Sequence, residues 1–196
     1  MKPYDPSKLP QIAATELTKL AKLIVSAPSP DSFCLPFETG NLDPNPKSPP
    51  LDLMKKAESW KNGKKAQPFI YYIQFQRDAS REEKNDASTK FSEAKAAKRD
   101  GRAYARSNKR SSRCWYVGSS SNIVRRFNDH LGYGPQGTYA LHLSSWAREL
   151  SIPLEIVVLR YDVEGYEVEL RENVIGALED ALWTTLNPMF GRKGRR

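Results

Sequence analysis

The sequence predicts an α+β fold: a small three-stranded sheet flanked by helices, with a long basic helical insertion and an N-terminal arm of short helices and irregular chain. Three observations carry this. Short runs of β-branched and aromatic residues near positions 69–75, 113–118 and 154–159 alternate with stretches of helical periodicity. A long segment between the first two runs is rich in Ala, Glu, Lys and Arg. Ten of the 14 prolines fall in the first 50 residues, which sets that part of the chain apart. A length of 196 residues suits one domain with a sizeable core and an appendage.

Residues 1–66 form the arm. Thr15 to Val25 places Leu17, Leu20, Leu23 and Ile24 on one side of a helix. Ala27 to Pro50 reads as irregular chain. Leu51, Met54, Ala57 and Trp60 repeat the helical spacing just after Pro49-Pro50, a suitable helix start. The main domain is expected over 67–196. Its first strand is Phe69 to Phe75, entered through Pro68. Asp78 to about Arg106 reads as a polar helix, broken near Asp100-Gly101, within an insertion over 78–113. Arg113 to Gly118 is the second strand. Ser119 to Asn122 supply N-cap candidates for a helix over Ile123 to Leu131. Gly132 to Gly137 is a loop, Tyr139 to Leu150 a helix and Leu154 to Leu159 the third strand. Glu169 to Leu186 is an amphipathic helix stopped by Asn187-Pro188.

Composition excludes several classes. With 39% hydrophobic and 28% charged residues the chain is not wholly disordered. No stretch approaches the ~20 apolar residues of a spanning helix. The first residues hold no apolar run after Lys2, so a secretory signal is not expected and the chain reads as cytoplasmic. Cys34 and Cys114 read as reduced thiols. Two histidines, His130 and His142, and no CxxC or HxxxH pair speak against a Cys/His zinc site, and nothing implies an organic cofactor.

The formal net charge is +8 and the pI about 9.4, which points towards a polyanion. The charge is segregated. Residues 107–130 carry net +4 and the last six residues +4, whereas 131–190 carry −6. A uniformly solvated surface does not require that.

A few residues combine reactive type with suggestive placement. Tyr71 is in strand phase with Phe69, Ile73 and Phe75, and Tyr116 with Cys114 and Gly118. Gly118 reads as a small neighbour that leaves room for a ligand. Taken singly, each tyrosine is an ordinary half-buried sheet residue. On the next helix Ile123, Phe127 and Leu131 form a core stripe, and Asn122, Arg126 and His130 a polar stripe beside it. An Arg and a His one turn apart at a core edge suit a phosphate, because guanidinium offers a planar fork to its oxygens. A solvated Arg beside a partly buried His fits the same pattern. Glu179 lies in a row with Ile175, Leu182, Trp183 and Leu186, next to a face of Val174, Leu178, Ala181, Leu182 and Thr185. A carboxylate there needs a cation, a hydrogen bond or a metal.

These residues together resemble the GIY-YIG nuclease superfamily. Phe69-Ile70-Tyr71 and Tyr116-Val117-Gly118 stand as its paired strand motifs, Arg126 ten residues after Tyr116, His130 four further on, and Glu179 nine residues before Pro188. Phe69 replaces the family's first Gly and Val117 its Ile. The two tyrosines are 45 positions apart, and Gly191 stands where the family has Asn, with Asn187 nearby. The resemblance spans about 68–191. It implies a metal-dependent DNA endonuclease with Tyr71, Tyr116, Arg126, His130 and Glu179 as catalytic residues. Tyr71 would be the general base, Arg126 the phosphate clamp, and Glu179 the ligand of one divalent ion per site, Mg²⁺ or Mn²⁺. Tyr116 and His130 would position the water or tune Tyr71.

The implied partner is double-stranded DNA bound by a homodimer, as in type II restriction endonucleases; a homing or repair nuclease and a non-catalytic nucleic-acid-binding module are the alternatives, with an RNA-directed protein behind them. Candidate DNA contacts are Asn122, Arg125 and the basic run Arg99, Arg102, Arg106, Lys109, Arg110 and Arg113. The tail from Arg192 to Arg196 is either a further phosphate contact or a frayed end.

Overall fold

The computed structural model describes residues 6–45, 49–60, 68–97, 101–163 and 165–194. The fold is α+β, with a four-stranded antiparallel sheet. In chain order the elements are α1 (Leu9–Val25), β1 (Asp31–Glu38), α2 (Leu51–Trp60), β2 (Phe69–Phe75), α3 (Arg81–Ala97), β3 (Cys114–Ser120), α4 (Ile123–Leu131), β4 (Pro153–Arg160) and α5 (Val168–Leu186). The strands lie in the order β1-β4-β2-β3.

The fourth strand corrects the three-stranded expectation. It comes from Ala27 to Pro50, which the prolines mark as irregular. β1 pairs along its whole length with β4, Leu35 opposite Ile156. Pro36 is tolerated because β1 is a sheet edge, where a missing N–H breaks no second ladder.

Register puts Tyr71, Ile73 and Tyr116 on one sheet face, while Ile70 and Val117, also buried, alternate to the other. Tyr71 pairs with Val158 on one side and Gly118 on the other; Ile73 pairs with Ile156 and Tyr116. Between Ile73 and Gln74 the register skips Trp115. A bulge of this kind re-aims a side chain, and Trp115 is fully buried against Phe75, Trp146 and Phe190. The core adds Leu53, Met54 and Ala57 of α2, Phe91 of α3 and Ile123, Phe127 and Leu131 of α4. α5 packs against β3 and β2, and α1 against α5, with Lys19 3.8 Å from Glu167. α1 buries no residue, and Leu17 of its expected stripe is 66% exposed.

Two expected helices change. α3 ends at Ala97, so only the acid-interleaved half of the insertion is helical. Residues 101–113 are irregular chain, with Gly101 and Lys109 at positive φ, bridged to Ala140 through Tyr104 and to Phe190 through Ser107. The segment expected to be a helix from Tyr139 to Leu150 is instead two short 3₁₀ turns, Leu143–Ser145 and Arg148–Leu150. His142 and Ser151, both at positive φ, precede the first and follow the second. No helix among the described residues is long and apolar enough to cross a membrane.

Candidate active site

Four sequence-expected residues meet on the sheet face beneath α4. β2 supplies Tyr71, β3 supplies Tyr116, and α4 supplies Arg126 and His130 one turn apart. α4 starts where expected: the Asn122 side chain accepts from the Arg125 backbone N–H at 3.0 Å and caps it. That bond fixes the turn between β3 and α4 and with it the direction of Arg126.

Arg126 joins the tyrosines. Its Nε donates to Tyr71 Oη at 2.9 Å and its Nη2 to Tyr116 Oη at 3.0 Å. The tyrosine rings stack with centroids 6.1 Å apart. His130 approaches from the other side. The Leu141 backbone N–H donates to its Nδ1 at 3.3 Å, which leaves that nitrogen bare and puts the ring proton on Nε2. Nε2–H then donates to Tyr71 Oη at 2.9 Å. Tyr71 Oη therefore accepts two hydrogen bonds, from His130 and Arg126.

Burial divides the group. Tyr71 and His130 are fully buried, Tyr116 is 7% exposed, and the Arg126 side chain keeps 18%. Burial, then the Arg126 charge, then His142 hold His130 well below the usual imidazole range, so it is neutral. Burial, then the neighbouring Tyr116, raises Tyr71 well above the usual phenol value against the pull of Arg126. Tyr116 is raised for the same first reason. Burial also opposes the charge of Arg126, but the two tyrosine oxygens outweigh it and keep the guanidinium protonated.

Glu179 belongs to the same neighbourhood. It is 7% exposed on α5, and its negative charge acts on both Tyr71 and Tyr116, raising each. The buried row of α5 is Val174, Ile175 and Glu179, whereas Ala181 and Thr185 of the expected buried face are exposed.

Asp129 escaped sequence reasoning. It is 4% exposed, and its Oδ2 lies 3.6 Å from Nη1 of Arg126, the nitrogen that serves neither tyrosine. The signal for it was an acid three residues after a core-edge Arg. Gly118 corrects a second expectation. The space beside it is not open for a ligand, because a Cβ there would meet the hydroxyl of Tyr71 and the ring of Tyr116.

The candidate DNA contacts separate into groups. Arg99 lies outside the described residues. Arg102 turns inward, donating to the Gly132 carbonyl at 3.0 Å and lying 3.3 Å from His142 Nδ1. Arg113 donates to the Phe75 and Gln76 carbonyls. Asn122 is spent on its cap, and Arg125 is exposed. Arg106, Lys109 and Arg110 line a groove of about 500 Å³ with Trp183, Arg192 and Lys193. Burial first, and then the charges of Arg192 and Arg106, lower the pKa of Lys95.

Compared with known proteins, the chain matches no protein-family model, no curated protein and no solved structure.

Proposed function

We propose that this protein is a metal-dependent endonuclease that hydrolyses phosphodiester bonds of double-stranded DNA, built on a GIY-YIG-like core and acting in the cytoplasm as a homodimeric type II restriction endonuclease. The observation that supports it is the convergence of Tyr71, Tyr116, Arg126 and His130 in one hydrogen-bonded group, within reach of the Glu179 charge. Tyr71 and His130, 59 positions apart in the chain, meet there, and the intervals from Tyr116 to Arg126 and His130 are those that carry the resemblance.

Hydrolysis of a phosphodiester needs a polarised phosphate, a proton acceptor for water and stabilisation of the developing charge. Arg126 clamps the phosphate: it stays charged and partly exposed, and its fork is pre-set by Asp129 and the two tyrosines. Tyr71 accepts the proton of the attacking water. For that its own proton first passes to solvent; Nε2–H of His130 and Nε–H of Arg126 already aim at the oxygen where the phenolate charge would sit. As water's proton moves to that oxygen, the water oxygen bonds to phosphorus. The P–O bond to the leaving alkoxide breaks, and the alkoxide takes a proton from solvent. Tyr116, on the open side, orients the water.

Glu179 would hold one Mg²⁺ or Mn²⁺. Among the described residues no three His, Cys, Asp or Glu cluster, so the assignment of the ion rests on the general chemistry that one carboxylate, with waters and phosphate oxygens, suffices for a hard cation. When bound, such an ion supplies positive charge to the phosphorane and favours proton loss from nearby oxygens.

Plasmid DNA incubated with Mg²⁺ and, separately, with chelator tests the reading. Metal-dependent nicking or linearisation that Glu179→Ala abolishes supports it, and fragment ends at discrete sites separate restriction from repair cutting. The rival reading is a non-catalytic nucleic-acid-binding module. One observation favours it: Tyr71 is fully buried and held as a neutral phenol. Binding without cleavage under any metal selects it.

A further inference from the structure

The groove beside the tyrosine group has the size and chemistry of a strand site. Its volume of about 500 Å³ is that of a nucleotide-sized ligand and far too small for a duplex. Five cations line it, Arg106, Lys109, Arg110, Arg192 and Lys193, and among the described residues no carboxylate does. Trp183 gives it an aromatic wall, with the Arg110 guanidinium 4.8 Å from the ring centroid.

Two further features point to a ligand. Nη1 of Arg110 and Nε1 of Trp183 are buried and donate to nothing among the described residues. Buried donors without an acceptor are rare and call for one. The groove also shares walls with the tyrosine group. Trp183 follows Glu179 by one turn of α5, and Gly191, which lines the groove, lies so close to Tyr116 that a Cβ there would be 2.9 Å from its ring.

We propose that this groove takes one unpaired nucleotide and its flanking phosphates, on the strand that passes the tyrosine site. Arg106, Arg192 and Lys193 take phosphate oxygens. The base lies against Arg110 and Trp183, whose two donors meet base or phosphate oxygens. A duplex enters the groove through an extruded base or a frayed end. The proposal deepens the endonuclease reading and rests on it for the class of partner.

The test is a titration of the full chain with a short oligothymidylate, chelator present, followed by tryptophan emission and by fluorescence anisotropy. We expect quenching that Trp183→Phe removes, and binding that Arg110→Ala and Arg192→Ala together weaken about tenfold or more. The slope of log affinity against log salt should fall by about 0.7 for each phosphate contact removed. Arg192 is exposed, so Arg192→Ala alone keeps the test open should the other variants misfold. The proposal is overturned if the oligonucleotide fails to bind. It is equally overturned if quench and affinity are the same in the variants, or if a fully paired duplex with both ends closed by loops that carry no base quenches as strongly. Cleavage is read separately: an uncut plasmid with the expected oligonucleotide binding removes the endonuclease reading and leaves the groove standing.

Discussion

Tyr71 and Gly118 face each other across the β2–β3 ladder, and a Cβ at Gly118 would lie 2.7 Å from the Tyr71 hydroxyl oxygen. Glycine is required here by close approach. Tyr71 is fully buried, so it cannot swing away cheaply. Gly118→Ala should cost about 1–3 kcal/mol of stability, as overpacking does, and displace the oxygen from His130 and Arg126. We expect cleavage to fall about a hundredfold while DNA binding is kept, because a small misplacement at the reacting centre suffices. Urea denaturation and single-turnover cleavage measure the two effects; an unchanged cleavage rate would remove Tyr71 from the chemistry.

Arg126 holds both phenols with two different nitrogens, a geometry an ammonium cannot copy. Arg126→Lys should therefore lower cleavage by roughly 10²–10³-fold with little change in fold. Asp129→Asn removes the charge behind the fork and leaves the tyrosine bonds, so a smaller loss of about tenfold is expected. Equal losses in the two variants would show that Asp129 acts on the fold and not through Arg126.

The sequence exposes what depends on local spacing and hides what depends on distant partners. Arg126 and His130 share a face because they are one turn apart, and Asn122 caps because it precedes an apolar helical run, so both could be read directly. In β1, Phe33, Leu35 and Phe37 alternate as a strand should, but Pro36 masks the pattern; only pairing with β4 at an edge makes it acceptable. Leu143, Trp146 and Ala147 have helical spacing, yet His142 is fixed by the Thr138 carbonyl and Arg102, and the chain turns in 3₁₀ steps instead. The close approach at Gly118 follows from cross-strand register. The groove follows from where 101–113, α5 and the last described residues meet, which no local pattern encodes.

His130 should make stability depend on pH. Its folded pKa lies well below the ordinary 6.5, so below that value the unfolded chain binds a proton that the folded chain refuses. The stability is fully present above about pH 6.5 and is lost as pH falls, at up to about 1.4 kcal/mol per unit from this group. Urea midpoints at a series of pH values from neutral downward measure the slope. His130→Gln should flatten it while lowering stability at neutral pH; an unchanged slope would place the titration elsewhere.

Tyr71 sets the expected pH dependence of cleavage. Burial first, and then Tyr116, raise it well above the usual phenol value. A raised pKa leaves less phenolate at any given pH, so a rate that needs phenolate climbs with pH and its rising limb moves to the alkaline side. We expect single-turnover cleavage to rise through the range from about 7 to 9 with no plateau below the ordinary tyrosine value of about 10. Tyr71→Phe should abolish cleavage across the range. Tyr116→Phe should lower the rate and keep the climb, because Tyr116 orients water without taking its proton. A profile that Tyr116→Phe flattens, with Tyr71→Phe still active, would reverse the two roles and make the more exposed phenol the base.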